Sequence, residues 1–371
     1  MKKVIMFLIL VILSGFNCNK TTDAEIDVVG EIQKVMEEQN IPSIVACIIK
    51  NDQIVWENYL GFANVEYEIP ASRSTIYSLQ SISKLFLATA VFQLWENGQI
   101  DFEADINDYL PFEVRNPYYP GNKITPYMIL THSSSLAWPH DNDPIPDFHH
   151  FYAHEDPPLI SEWLPEYILP EGSQYRHQVW KDFPPGEKHL YSNIATSLLA
   201  LIVEQITEMD YRDYCRENIF EPLGMTNTAF SLGQLNPELL VTPYSGNNLP
   251  MYPFSSRHYP AGFLNCDLED FSHFMLTTLN YGEYNGSKIL ERATFEKMIE
   301  LQDAGSGYAH LWVHFMGDRI GHRGGGTGYS SFAEWHLAGD SGFFIYSNKY
   351  HEEIYPSGRI YELVKYQLTK Y

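Results

Sequence analysis

The strongest constraint on the fold is a long apolar segment that begins just after Ser81. Residues 82–95 are apolar on nearly every face of a helix, and Glu96-Asn97-Gly98 follows with a glycine suited to a helix C-terminus. A helix that is apolar all round has to be buried. The sequence therefore predicts a core helix, in a chain of 371 residues that can form one large domain or two lobes.

Ser81 and Lys84 lie at the start of this helix and form the only S-x-x-K of the chain. Residues three apart share a helix face, so the hydroxyl and the amine are expected to lie side by side. A neutral amine can take the proton of a serine, and the positive helix N-terminus favours an anionic oxygen over a charged lysine. The pair predicts an acyl-transfer serine hydrolase. Taken alone, it fits a helix-capping serine and a lysine lying along apolar surface better, and the hydrolase prediction depends on the motifs further along the chain.

Composition narrows the function classes. With 44% hydrophobic and 15% aromatic residues, the chain is predicted to be globular. Its formal charge of −23 argues against nucleic acid and against anionic lipid as partners.

The N-terminus resembles an export signal. Lys2-Lys3 precedes the apolar run Val4–Leu13, which is too short to span a bilayer. Residues 1–17 are therefore predicted to be a signal peptide, which places the protein in the periplasm or cell envelope. Cys18 would then be the first mature residue, either lipidated and membrane-anchored or left by simple cleavage, since Phe16-Asn17 lacks the small residues usual before a lipidated cysteine. The other three cysteines show no disulfide framework and are expected to be buried thiols.

The pattern along the chain predicts an α/β fold. The expected elements are a helix at 24–39, strands at 43–50 and 53–62 joined at Asn51-Asp52, a helix at 267–280, β runs at 308–316, 329–337 and 341–347, and a helix at 357–369. Residues 24–100 and 261–371 then form an α/β lobe, and residues 101–260 form an inserted, mainly helical lobe. A catalytic cleft is expected where the two lobes meet.

Two later segments offer partners for Ser81. Tyr191-Ser192-Asn193 follows Pro185-Gly186, and its tyrosine could share a proton with Lys84 while Asn193 binds Lys84 and a substrate carbonyl. In the second segment, 321–331, glycines would let a strand edge approach substrate and donate backbone N–H groups to an oxyanion. A second Y-S-N, Tyr346-Ser347-Asn348, ends an apolar run and is interpreted as structural.

Three motifs in this order resemble the serine β-lactamase and penicillin-binding-protein superfamily, in its class C-like branch. They are Ser81 to Lys84, Tyr191 to Asn193, and His322-Arg323-Gly324, with supporting matches at 129–136, 220–226 and 261–264. The resemblance covers residues 26–371. It implies an antiparallel sheet flanked by helices, with an inserted mainly helical lobe.

The resemblance also implies roles for individual residues. Lys84, with Tyr191, would deprotonate Ser81, and Tyr191 would pass a proton to the leaving group. The N–H groups of Ser81 and Gly325 would hold the oxyanion. The expected substrate-binding residues are Asn193, His322, Arg323, Gly324 and Gly325. No metal or organic cofactor is required.

Three departures bear on the substrate. His322 stands where β-lactamases carry lysine, Arg323 where threonine is usual, and Ser135 where glycine is common. We expect an exported hydrolase of esters or amides of small acyl groups or D-amino-acid peptides. The alternatives are a genuine β-lactamase, and a sensor of β-lactams or cell-wall fragments that stays acylated.

Residues 138–185 are the least regular part of the sequence. They contain His140, His149, His150 and His154, of which the last two have the i, i+4 spacing of a metal-chelating helix. Five prolines between 139 and 158 argue against a continuous helix there. We therefore expect a solvated loop at the mouth of the cleft rather than a metal site.

Overall fold

The computed structural model describes residues 26–138, 151–153, 156–303, 305–315 and 317–371. The predicted signal peptide, Cys18 and the histidines at 140, 149, 150 and 154 lie outside these ranges. The α-helices are α1 Val28–Gln39, α2 Ser83–Glu96, α3 Pro126–Leu130, α4 Ile160–Ile168, α5 Asn193–Thr207, α6 Tyr211–Cys215, α7 Leu268–Leu279, α8 Arg292–Ile299 and α9 Arg359–Leu368. The strands are β1 Ser43–Lys50, β2 Gln53–Asn64, β3 Ile69–Pro70, β4 Tyr77–Ser78, β5 Asn265–Cys266, β6 Glu283–Tyr284, β7 Ser287–Lys288, β8 Val313–His314, β9 Arg319–Gly326, β10 Tyr329–His336 and β11 Ser341–Ser347.

A seven-stranded antiparallel sheet joins the two ends of the chain. Its order is β3-β2-β1-β11-β10-β9-β8, so β1 pairs with β2 on one side and with β11 on the other. Alternate residues of β1 face two different cores: Val45 and Cys47 pack in one, and Ile44 and Ala46 in the other. A strand buried on both faces reads as the continuous apolar run seen in the sequence.

Helices cover both faces of the sheet. On one face α1 and α9 pack together over β1, and they supply Ile32, Val35, Ile360 and Val364 to the smaller core. On the other face lie α2 and α7, and the mainly helical segment from α3 to α6 packs beyond them in the larger core. The result is a mixed α/β fold with an antiparallel sheet, as the sequence predicts.

Several predicted elements are confirmed. The apolar helix runs to Glu96, and Gly98 follows with φ +69. Asn51 and Asp52, with φ +50 and +59, form the two-residue turn between β1 and β2. Asp267 caps α7 by accepting a hydrogen bond from the N–H of Asp270. Cys47, Cys215 and Cys266 are buried free thiols.

Two predictions were wrong. The strand expected at 308–316 is only Val313–His314, and the strand edge expected within 321–331 belongs to the longer strand β9, whose bounds were not predicted. Four glycines lower the intrinsic strand preference of β9, and its pairing with β10 overrides that preference. The loop expected at 138–185 contains helix α4, in which Trp163, Leu164, Tyr167 and Ile168 form a buried stripe despite Pro165.

Within the described residues, no helix is long and apolar enough to cross a membrane. The same residues contain no group of three or more histidine, cysteine, aspartate or glutamate side chains placed to hold a metal ion.

Candidate active site

Ser81 lies in a 3₁₀ turn, Gln80–Ile82, that leads directly into α2. The turn is fixed from two sides. The Oγ of Ser83 donates to the Gln80 carbonyl at 2.6 Å and accepts from the N–H of Leu264 at 3.0 Å. The Leu79 carbonyl accepts from Ser331 of β10 at 2.6 Å. Ser81 is thus held between the core helix and the sheet, and it does not cap α2.

Lys84 is fully buried in the first turn of α2. Its Nζ lies 3.2 Å from the Oγ of Ser81 and donates a short hydrogen bond to the Ala261 carbonyl. Burial lowers the pKa of the Lys84 amine well below its ordinary value. The amine is therefore poised to be neutral, which is the form that can accept a proton. Because its side chain is buried, Lys84 does not reach solvent along the surface.

Tyr191 lies immediately before α5, whose first turn is capped by the Oγ of Ser192 through the N–H of Ala195 at 3.1 Å. Its hydroxyl donates to the Oγ of Ser81 at 2.9 Å. Burial raises the pKa of Tyr191 above its ordinary value, so the phenol keeps its proton. The Oγ of Ser81 thus contacts a protonated phenol and an amine whose burial favours its neutral form.

His132 supports the position of Tyr191. Its Nδ1 accepts from the N–H of Ser192 at 3.3 Å, and its ring centre lies 4.5 Å from that of Tyr191. Burial lowers the pKa of His132 well below its ordinary value, so its ring is neutral. Ser135 of the same loop has φ +60, the region that glycine adopts freely, and its Oγ accepts from Asn116 at 2.8 Å.

The second Y-S-N lies in the sheet and not at Ser81. Tyr346 is buried on β11 and stacks on Tyr77, with 5.5 Å between ring centres. Asn348 accepts from Ser43 at 2.7 Å and donates to backbone carbonyls of Phe62 and Thr242. These contacts tie strands and loops together.

Ser81 lies where two cavities meet, and Gly325 and Tyr350 line both of them. The large cavity has a volume of about 570 Å³ and includes Asn193. The small cavity has a volume of about 280 Å³ and includes Tyr191. The two cavities offer separate space for the two halves of a substrate whose carbonyl lies at Ser81.

His322 and Arg323 both line the small cavity. His322 is buried, its Nδ1 donates to the Arg323 carbonyl at 2.6 Å, and its Nε2 has no hydrogen-bond partner in the described residues. Burial lowers the pKa of His322 to about 3, so its ring is neutral. Arg323 was expected on the opposite face of the strand. Its long side chain instead lies over the Tyr355 ring, 5.1 Å from the centre, and reaches the cavity from the strand edge.

Three predicted substrate-binding residues have different surroundings. Asn193 lines the large cavity, and its buried Oδ1 has no hydrogen-bond partner among the described residues. The expected hydrogen bond between Asn193 and Lys84 is not seen among these residues, and the Lys84 amine donates to the Ala261 carbonyl instead. Gly324 lines neither cavity, because it packs against Leu79 where a Cβ would come within 2.3 Å of the carbonyl. Gly325 lies beside Ser81 in both cavities.

Sequence reasoning missed most of the aromatic lining. Tyr308 and Tyr355 line the small cavity, and burial raises the pKa of Tyr308 to about 12. Trp138, Phe254 and Phe263 line the large one. Only Phe263 carried a signal, as a member of the supporting match at 261–264. The others come from irregular segments whose approach to Ser81 depends on the tertiary fold.

Known proteins resemble this chain in sequence and in fold. "Protein flp" of Staphylococcus aureus (strain MRSA252) is 22% identical over 267 residues, which cover 70% of this chain and 50% of that protein. The chain thus spans about half the length of this curated relative. The octameric penicillin-binding protein homologue from Pyrococcus abyssi superposes with a TM-score of 0.72 at 21% identity, covering 92% of this chain and 77% of that one. A class C beta lactamase from Rhodobacter sphaeroides gives a TM-score of 0.70 at 19% identity, covering 92% and 99%.

These two solved structures show that the chain has a similar fold. Its membership in a family rests instead on its sequence, since the model of the family described as "Beta-lactamase" matches residues 28–365, most of the chain. That match includes Ser81, Lys84, Tyr191 and the strand that carries His322. The chain therefore belongs to the beta-lactamase family.

Proposed function

We propose that the chain is a serine hydrolase that forms an acyl-enzyme at Ser81 and cleaves ester or amide bonds of small acyl or D-amino-acid peptide substrates. One observation carries the proposal. The Oγ of Ser81 lies 3.2 Å from the buried amine of Lys84 and accepts a 2.9 Å hydrogen bond from Tyr191. A nucleophile in contact with both a base and an acid is the arrangement that acyl transfer requires.

Acylation then follows from the protonation states. The neutral Lys84 amine takes the proton of Ser81 as Oγ bonds to the substrate carbonyl carbon. The backbone N–H groups of Ser81 and Gly325 hold the oxyanion. As the bond to the leaving group breaks, Tyr191 gives its proton to the leaving atom and regains one from Lys84. Water then attacks the acyl-enzyme by the same steps in reverse and frees Ser81.

The rival function is a genuine β-lactamase, which the family match favours. The small cavity argues against it. A lysine in the place of His322 would present a cation to a β-lactam carboxylate, whereas a ring whose pKa is about 3 is uncharged at neutral pH. Arg323 is permanently charged and lines the same cavity, but its guanidinium lies over the Tyr355 ring and not in the place of the His322 ring. We therefore place ester and amide hydrolysis ahead of β-lactam hydrolysis.

Intact-protein mass spectrometry with a panel of activated esters, D-peptides and penicillins tests the proposal. The wild type should gain a transient adduct with at least one ester or D-peptide, and Ser81→Ala should gain none. Ser287→Ala, a serine in the distant β6–β7 hairpin, serves as the control and should react like the wild type. An adduct that persists would support the sensor function, and equal labelling of Ser81→Ala would refute the nucleophile.

We also propose that the protein is exported, on the basis of Lys2-Lys3 and Val4–Leu13. Fractionation of cells should find the protein in the envelope with an N-terminus at or near Cys18. An acyl group on Cys18 would indicate a lipid anchor, and an unmodified terminus would indicate simple cleavage. A cytoplasmic protein that begins at Met1 would contradict export.

A further inference from the structure

We infer that the large cavity selects a bulky, uncharged acyl group, with Trp138, Phe254 and Phe263 as its specificity-determining walls. The inference rests on the proposed function, because it names the acyl half of the substrate that Ser81 would attack.

The position of Tyr191 decides which half of the substrate each cavity takes. A leaving group has to lie on the side of the proton donor, and Tyr191 lines only the small cavity. The leaving group therefore occupies the small cavity. The acyl group extends the other way, past Asn193, into the large cavity. The unpartnered Oδ1 of Asn193 can there accept a hydrogen bond from an amide N–H on the acyl side.

The large cavity has aromatic walls that are held by contacts among themselves. Phe254 and Phe263 are 3% and 6% exposed, and their ring centres are 5.9 Å apart. His258 packs between Phe263, at 5.3 Å, and Trp138, at 5.0 Å. A volume of about 570 Å³ bounded by such rings suits a phenyl or branched group far better than an acetyl group.

The backbone at Phe263 is strained in a way that fixes one of these walls. Its φ of +91 is a conformation that side chains larger than glycine rarely adopt. Hydrogen bonds hold both groups of the peptide that follows Phe263: the N–H of Leu264 donates to Ser83 at 3.0 Å, and Asn265 donates to the Phe263 carbonyl at 2.9 Å. Strain retained beside a nucleophile points to a role for the ring that it positions.

Charge separates the two cavities. None of the described residues that line the large cavity is an aspartate, glutamate, lysine or arginine, although the chain carries 47 acidic residues. The small cavity contains Arg323. A charged acyl group would gain no opposite charge from the described lining in return for the hydration that it loses there, so this lining disfavours a free α-amine on the acyl side.

Four p-nitrophenyl esters with the same leaving group test the inference. We expect kcat/KM for the phenylacetyl ester to exceed that for the acetyl ester about tenfold or more. We expect the phenylalanyl ester, whose ammonium group is charged, to fall below a neutral N-acetyl-phenylalanyl ester by a similar factor, about tenfold. Equal rates for acetyl and phenylacetyl esters, or a preference for the ammonium ester, would overturn the inference.

Two variants assign the selectivity to the cavity. Phe254→Leu keeps an apolar core side chain and should reduce the phenylacetyl preference, measured as the ratio of kcat/KM for the phenylacetyl and acetyl esters. Thr327→Asp adds a carboxylate at an exposed position on the cavity lining and should raise the relative rate of the ammonium ester several-fold. Tyr67→Ala removes an exposed aromatic ring outside both cavities and is the matched control. Unchanged selectivity in both cavity variants would overturn the assignment.

Binding to the unreactive Ser81→Ala variant separates this inference from the proposed function. We expect phenylacetamide, a neutral amide, to bind more tightly than benzylammonium by calorimetry, and Phe254→Leu to weaken it. Selective binding to Ser81→Ala, together with a wild type that hydrolyses none of the esters, would support the cavity and refute the hydrolase. Hydrolysis with no selectivity in either assay would support the hydrolase and refute the cavity.

Discussion

The hydroxyl of Tyr191 donates a 2.9 Å hydrogen bond to the Oγ of Ser81, and this contact closes the site between the sheet and the helical segment. Burial acts in opposite directions on the two groups that flank the serine. It raises the pKa of the tyrosine and lowers the pKa of Lys84. In the proposed mechanism the phenol is the acid and the amine is the base, and the direction of these two shifts supports that assignment.

Exchanging each Y-S-N tyrosine for phenylalanine tests that assignment. Tyr191→Phe removes the proton donor at Ser81, and it should slow acylation by about 10²–10⁴-fold. Tyr346→Phe is the matched control, since its hydroxyl has no hydrogen-bond partner in the described residues and lies in the sheet. Stopped-flow measurement of p-nitrophenol release gives both rates. A severe loss in Tyr346→Phe with Tyr191→Phe near wild type would show that the wrong tyrosine was chosen.

The acid side of the pH–rate profile should report Lys84. An amine with a lowered pKa is neutral above that pKa, so acylation should be lost as the pH falls through it. Lys84→Ala should reduce acylation by orders of magnitude and abolish this acid limb. The limb is measured from single-turnover acylation between pH 5 and 9. An unchanged limb in the residual activity of Lys84→Ala would assign it to another group.

Lys84 should also lower the stability of the fold. Its pKa in the folded protein lies below that of an unfolded lysine, about 10.4. Between these two values the unfolded chain binds more protons, so stability rises with pH. Lys84→Met should therefore be more stable than the wild type at pH 7, by about 0.5–2 kcal/mol, with the difference shrinking toward pH 10. Thermal melts at pH 7 and 9.5 measure it, and Lys123→Met, at an exposed lysine, is the matched control.

The sequence predicted the elements whose pattern is local. The strands β1 and β2 and their Asn51-Asp52 turn follow from apolar alternation and turn chemistry, and the core helix α2 follows from its composition. The strand β9 has no such pattern, because glycines supply little strand preference. Its position depends on pairing with β10 and on the close approach of Gly324 to Leu79.

The candidate site also has one part that the sequence predicted and another part that it did not. Ser81, Lys84 and Tyr191 were selected by motif order, and the fold brings their reactive atoms together. The Ala261 carbonyl that binds Lys84 was not foreseen, because every residue has a backbone carbonyl and nothing in the sequence marks this one. Arg323 was placed by strand alternation, which fixes the Cβ direction but not where a long side chain ends.

Gly324 offers a test of the packing that positions Ser81. A Cβ at this residue would lie 2.3 Å from the Leu79 carbonyl and 2.3 Å from the Oγ of Ser331. Gly324→Ala should therefore cost about 1–3 kcal/mol of stability and lower kcat by displacing the 3₁₀ turn. Gly121→Ala is the matched control, since nothing lies within 4 Å of its added Cβ. Urea unfolding and ester hydrolysis measure both effects, and equal behaviour of the two variants would argue against tight packing at β9.

His322 should set the substrate class. Its pKa of about 3 leaves it uncharged through the physiological range, so it cannot attract a carboxylate as an ammonium group would. His322→Lys places a cation at the small cavity, close enough to Lys84 to favour the neutral form of that amine further. We expect β-lactam acylation to rise about tenfold relative to hydrolysis of a neutral ester. His322→Gln keeps the position uncharged and should not shift this ratio.

Nitrocefin and p-nitrophenyl ester assays measure the two rates. If the wild type already hydrolysed β-lactams with a kcat/KM above that for esters, within the common range of about 10⁴–10⁸ M⁻¹s⁻¹, the β-lactamase function would replace the one proposed here.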